Sequence, residues 1–193
     1  MAAIPQLAQP LTNGRLWLRD AAERDIPEVL IAFQDDPEMH LRLARERPPS
    51  GAELGRRAEC EAADRAAGSR ATLTIVAAPA ADLCLGQVYV EAVEWDHARA
   101  DVWVWVAPGA RRRGLATGAL RLASEWLLGP CGLARVQGLC EPGNHALLAA
   151  AGRAGFVSEG TLHGYLRRRS RRIDVVMLSR LALLEPFLAS LEL

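Results

Sequence analysis

The chain has 193 residues, half of them hydrophobic and 24% charged, with a formal charge of zero, a composition that suits one soluble domain. No apolar run approaches the roughly 20 residues of a membrane-spanning helix, and the amino-terminal residues show no basic segment followed by an apolar core. A membrane span and a secretory leader are therefore not expected, and a cytoplasmic location is. Cys60, Cys84, Cys131 and Cys140 show neither a CxxC pair nor a Cys/His metal spacing, so thiols in a reducing compartment are expected and a metal is not. Charge is distributed unevenly: residues 1–110 hold 11 Arg against 17 acidic residues, and residues 111–193 hold 12 Arg against 6. All 23 basic side chains are arginine, whose planar fork suits phosphate and carboxylate.

In chain order, residues 1–13 are aperiodic and contain Pro, Gln and Ala, which predicts a flexible arm before a domain over 14–183. Residues 15–19 alternate polar and apolar and predict a first strand. Asp25 before Pro27 predicts a helix start, running to about Phe33, with a second short helix after Pro37. Ser50 and Glu53 form a capping-box pattern, and the charged helix they open is expected to stop at Gly68. The period then changes. Apolar β-branched residues over 71–77, alternation over 85–95 and again over 100–106 predict a three-strand meander, with turns at 79–82 and 96–99. In the last of these strands Val102, Val104 and Val106 share one face, and Asp101, Trp103 and Trp105 the other.

Pro108-Gly109 ends that strand. A helix is predicted over 114–128, with Leu115, Ala119, Leu122 and Trp126 on one apolar face. A strand over 134–140, a turn at Glu141-Pro142-Gly143-Asn144, an alanine-rich helix over 145–154 and closing strands from Phe156 complete the domain. Residues 167–172 read as a basic hairpin tip before a strand over 173–178, and 184–193 as a carboxy-terminal tail. The expected architecture is α/β (α+β): a single mixed, mostly antiparallel sheet with helices on both faces.

The most informative stretch is the turn between residues 104 and 118. The first amides of a helix lack intrahelical partners and carry the positive end of its dipole, so they can hold a diphosphate. Gly114 and Ala116 are small enough for oxygen atoms to approach the main chain. The turn lacks GxxxxGK[ST], and a chain without lysine has no nucleoside-triphosphate P-loop; it also lacks GxGxxG with a downstream acidic ribose ligand.

Arg111-Arg112-Arg113-Gly114-Leu115-Ala116 is similar to the R-x-x-G-x-A acyl-CoA signature of the GNAT N-acetyltransferases. Ala100–Val106 before this loop, and after it Glu141-Pro142-Gly143-Asn144, Ala154-Gly155-Phe156 and Arg171-Arg172-Ile173-Asp174-Val175-Val176, resemble the Rim-type branch, which includes ribosomal-protein N-terminal acetyltransferases. The likeness keeps this order from about Arg15 to Leu181. It implies a GNAT-type acyl-CoA N-acyltransferase fold and transfer of an acetyl group from acetyl-CoA to a primary amine, either a protein N-terminus or a small molecule. It also implies that the backbone of Trp105 and Val106 pairs with the pantetheine arm as an added strand would. Amides of Arg111, Arg112, Arg113, Gly114, Leu115, Ala116 and Thr117 would hold the pyrophosphate, and Asn144 would contact the donor near its thioester. Asn144 is also placed to cap a helix.

The resemblance implies Asp101 as a catalytic residue relaying a proton through water; a solvated strand carboxylate or an arginine partner is the plain alternative. Positions where relatives carry a serine or tyrosine acid hold Leu147 and Ala151, leaving Tyr165, His163, water or an unassisted thiolate, and leaving a non-catalytic coenzyme A-binding module as the alternative function. The basic hairpin tip lacks aromatic platforms, so nucleic-acid contact is not expected. Trp103 and Trp105 suit a core or an acceptor-pocket wall. The acidic first half favours a cationic acceptor, and a homodimer stays open.

Overall fold

The computed structural model describes residues 3–78 and 82–182. Eight strands form one sheet: β1 (Leu11–Thr12), β2 (Trp17–Asp20), β3 (Ala71–Val76), β4 (Gly86–Glu94), β5 (Arg99–Val106), β6 (Arg135–Cys140), β7 (Val157–Arg168) and β8 (Arg171–Leu181). Their spatial order is β1-β2-β3-β4-β5-β6-β8-β7. Every neighbouring pair is antiparallel except β5 and β6, which run parallel. Five helices cover the sheet: α1 (Ile26–Asp35), α2 (Met39–Arg42), α3 (Gly51–Ala66), α4 (Leu115–Leu128) and α5 (His145–Arg153). The expected mixed, mostly antiparallel sheet with helices on both faces is the fold observed.

Alternation along β5 divides the core as the sequence implies. Val102, Val106 and partly buried Val104 pack with Leu115, Ala119 and Trp126 of α4 and with Ala151 of α5. On the opposite face Trp105 packs with Phe33 of α1, Met39 of α2 and Leu54 of α3, with Trp103 at the margin. Ser50 caps α3 by accepting from the Glu53 amide at 3.3 Å, while the Glu53 carboxylate accepts from the Ser50 amide at 2.9 Å.

Two expectations meet different outcomes. The described part of the stretch read as a flexible arm lies on the domain: Ile4 is buried, its amide donates to the Arg65 carbonyl at 3.0 Å, and Leu11 pairs with Leu18. Short aperiodic segments carry little pattern, and this one is held by a long-range partner. Residues 79–81 of the expected turn and the tail at 184–193 lie outside the described residues.

Arg65 is the hub of that attachment. Its guanidinium, 2% exposed, bonds to Asp20 on β2 at 2.6 Å, Glu61 on α3 at 3.0 Å and the Pro5 carbonyl at 2.9 Å. It also lies 5.9 Å over the ring of Trp126 on α4. One side chain thus joins the amino-terminal segment, the sheet and a helix from each layer.

Candidate active site

β5 and β6 pair at Arg99 with Arg135, Ala100 with Val136 and Asp101 with Gln137, and then separate. Gly138 marks the fork: a Cβ there would lie 2.8 Å from the Val102 carbonyl oxygen. Beyond it β6 pairs with β8, as in Cys140 with Val176, while residues 102–106 of β5 keep β4 on one side and, among the described residues, have no strand on the other. A narrow V-shaped cleft opens between them, lined by Val102, Trp103 and Val104 on one arm and by Leu139, Leu147 and Ala151 on the other. An open β-edge of this kind can accept an extended amide-bearing ligand.

The chain leaves the open end of β5 at Val106 and turns into the start of α4 at Leu115. Gly114 occupies the N-cap position with φ +77°, the left-handed region, and open space surrounds where its side chain would be. The first α4 amide with a partner is that of Gly118, which donates to the Gly114 carbonyl at 3.0 Å. Among the described residues the amides of Arg112, Arg113, Gly114, Leu115, Ala116 and Thr117 have no hydrogen-bond acceptor. These donors converge at the positive end of a 14-residue helix, an arrangement that favours a phosphate-like anion. A diphosphate with a pantetheine-like arm fits the two features together.

The three arginines of the loop are not equivalent. Arg111 turns its guanidinium inward: Nε donates to the Val106 carbonyl at 3.0 Å and another nitrogen to Asp36 at 2.5 Å. Its side chain is therefore committed, and its amide, expected among the pyrophosphate donors, instead donates to the Pro108 carbonyl at 3.3 Å. Burial works against ionisation of Asp36, but its bonds to Arg111 and Arg42 prevail and hold its pKa below the usual carboxylate range. Arg113 donates to the Gly109 carbonyl at 3.0 Å, and Arg112 is exposed with φ +64°. Trp105 belongs to the core: its indole donates to the Tyr89 hydroxyl at 2.9 Å and its ring lies 5.9 Å from Phe33.

Asp101 stands at the apex, on the last parallel pair before the fork. It accepts from the Gln137 amide at 2.8 Å, and Gln137 accepts from Arg135 Nε at 2.6 Å. Its pKa is raised, burial being the largest cause and outweighing the Gln137 bond. Neither an arginine partner nor full solvation describes it. The role in proton transfer that the resemblance implies requires such a half-buried carboxylate.

Asn144 caps α5 by accepting from the Leu147 amide at 3.2 Å. Its side-chain nitrogen has no partner among the described residues and is free to donate. Leu147 and Ala151, one and two turns further along α5, both line the cleft, so two apolar side chains stand where a proton donor was sought. His163 and Tyr165 sit on the outer hairpin: His163 is 82% exposed and bonded to Asp174 at 2.9 Å, and Tyr165 is also exposed. Cys140 at the end of β6 is buried, and burial pushes its thiol up to about 12. Sequence reasoning missed Gln137 and Gly138, because their importance follows from where two strands separated by about 35 residues diverge.

A mixed sheet that forks beside an amide-rich helix start defines the acyl-CoA N-acyltransferase class of fold. A model of the acetyltransferase (GNAT) domain matches residues 15–157, and the chain belongs to the GNAT acetyltransferase family, whose donor is acetyl-CoA. No curated protein matches it in sequence. Its fold is similar to that of spermidine N-acetyltransferase from Vibrio cholerae in complex with CoA and spermine, at 19% identity and TM-score 0.74, covering 88% of this chain and 97% of that one. It is also similar to Mycobacterium smegmatis RimJ in complex with CoA-disulfide, at 22% identity and TM-score 0.71, covering 90% and 86%. A third structure is the Salmonella typhimurium acetyl transferase that modifies the N-terminal serine of ribosomal protein L7/L12, at 19% identity and TM-score 0.76, covering 89% and 97%. No described helix is long and apolar enough to cross a membrane, and no described cluster of His, Cys, Asp or Glu suits a metal ion.

Proposed function

We propose that the protein is a Rim-type acetyltransferase whose donor lies along the open edge of β5, with its pyrophosphate on the start of α4. The single observation that carries this reading is the run of amides from Arg112 to Thr117, unpartnered among the described residues, at the start of the helix that follows the open end of β5. Acetyl-CoA supplies an activated thioester carbonyl for attack by the acceptor amine. Val106 offers main-chain groups to the pantetheine arm, its carbonyl exchanging the Arg111 bond for a ligand amide; the main-chain groups of Trp105, also expected there, are instead turned to Gln87 on β4. Main-chain donors beside Val106 and the Asn144 side-chain nitrogen stand near the thioester end, where negative charge develops. Asp101 receives the amine's proton through water. Leu147 and Ala151 give the departing sulfur no proton, so water or the acceptor's own proton serves. These apolar side chains are also the one observation favouring a coenzyme A-binding module without turnover.

RimJ and the L7/L12-modifying enzyme share this fold, which supports a protein N-terminus as acceptor, while the spermidine enzyme keeps small amines in view. A cytoplasmic location belongs to the same proposal, and the use of acetyl-CoA as donor supports it. Incubating the protein with acetyl-CoA and amines of both classes should release free thiol. In Gly114→Glu a carboxylate and a side chain occupy the anion position, and calorimetry should show donor affinity falling at least 10-fold with the fold retained. Unchanged affinity in a folded variant refutes the placement, and donor binding without thiol release across the panel favours the module.

A further inference from the structure

A second and larger cavity adjoins the site and no step above uses it. It measures about 400 Å³ and lies between α1, the 43–49 loop, α3 and β4. Leu43 lines both this cavity and the V-shaped cleft. Tyr89 on its wall is the register partner of Trp103, which lines the cleft. The cavity thus adjoins the cleft on the face of the sheet that carries Tyr89 and Trp105, where an acceptor can approach.

Its charge departs from that of the chain's first half. Five arginines line it, Arg45, Arg47, Arg56, Arg57 and Arg70, against Glu46 and Glu53. Three are neutralised: Arg47 by Glu53, Arg45 by Glu91, and Arg70 by Asp64 at 2.6 Å. Arg56, Arg57 and Glu46 have no ion pair among the described residues, which leaves a surplus of one positive charge. Arg57 is the half-buried member, its guanidinium 5.9 Å over the Tyr89 ring, whereas Glu46 and Arg56 are exposed. A planar guanidinium held over an aromatic ring keeps its edge donors free for an oxyanion. A surplus of one suits a carboxylate better than a doubly charged phosphate.

We propose that the acceptor is an amine bearing a carboxylate, whose acidic group is received by Arg57, with Arg56 at the rim. The proposal rests on the acetyltransferase reading and names its substrate class. It runs against the cationic acceptor that the acidity of residues 1–110 suggests, because those carboxylates are spent on arginines or lie elsewhere. Peptide amides with a free alanine amino terminus followed by two Asp, two Asn or two Arg separate the alternatives. Thiol release should give the acidic peptide a kcat/KM at least about 10-fold above the basic one, as a charge-assisted hydrogen bond implies. Arg57→Gln should raise KM for the acidic peptide without altering calorimetric affinity for acetyl-CoA. Arg57→Glu should invert the order of the acidic and basic peptides, a gain that a damaged fold would not produce. Equal or better turnover of the basic peptide, an unchanged order in Arg57→Glu, or no turnover of the acidic peptide by a protein that binds acetyl-CoA overturns the proposal. Failure to bind acetyl-CoA overturns the acetyltransferase reading instead.

Discussion

Asp101 carries opposite consequences for activity and for stability. Its carboxyl is half-buried, and its pKa is raised chiefly by that burial. The folded chain therefore holds a proton on it at pH values where the unfolded chain has released one, so stability falls as pH rises from the ordinary aspartate pKa through the raised one. Asp101→Asn keeps an oxygen to accept from Gln137 and removes the buried charge. Thermal denaturation should show the variant at least as stable as wild type at neutral pH, and kcat should fall about 100-fold or more if the carboxylate relays the proton. The acidic limb of the kcat/KM profile, which reflects its ionisation, should disappear with it. Wild-type turnover in Asp101→Asn removes the residue from the mechanism. The family resemblance singled out the candidate and alternation along one strand gave its face, but neither gave its partner: Gln137 lies 36 residues away and comes beside it through parallel pairing.

Between β4 and β5 the closest approach is at Gly86. A Cβ there would sit 2.3 Å from the Trp105 carbonyl oxygen and 3.0 Å from Val106 Cα. Both are backbone atoms and cannot swing aside, so Gly86→Ala must push the two strands apart at the end where β5 presents its open edge. Urea unfolding should show a loss of about 2 kcal/mol, and acetyl-CoA affinity should weaken together with it. Gly109, which has open space around it, provides the contrast: Gly109→Ala should leave affinity within about twofold, since no clash or ligand contact is involved. Helices were readable because their signals are local, as with Ser50 and Glu53 opening α3. The fork between β5 and β6 is a relation between two distant strands, and nothing in either strand's own alternation announces it.

The layers of the molecule meet at Arg65. Its buried guanidinium serves Asp20, Glu61 and the Pro5 carbonyl while lying over Trp126. Arg65→Met retains much of the apolar stem but leaves two carboxylates without their shared cation, so unfolding free energy should drop by about 3 kcal/mol. Because the amino-terminal segment is held through the same residue, proteolysis near Pro5 should accelerate in the variant. A melting temperature equal to wild type would show that the buried cation holds nothing together. Arg65 was unremarkable as one charged residue in a charged helix; its burial depends on three other parts of the chain arriving around it.

Local information in the chain was enough for the helix starts, the two-faced β5, the anion-ready turn before α4 and the family that this turn resembles, since each depends on residues within a few positions of one another. Tertiary structure alone decided which loop arginine is free, because Asp36, 75 residues from Arg111, claims it. It also decided that Leu147 and Ala151 face the cleft, that the first residues dock through Arg65, and that arginines from a loop and a helix gather beside Tyr89. Each of these outcomes is a competition among groups brought together only by the folded sheet and its helices, where burial and pairing at a distance outweigh any preference written in neighbouring residues.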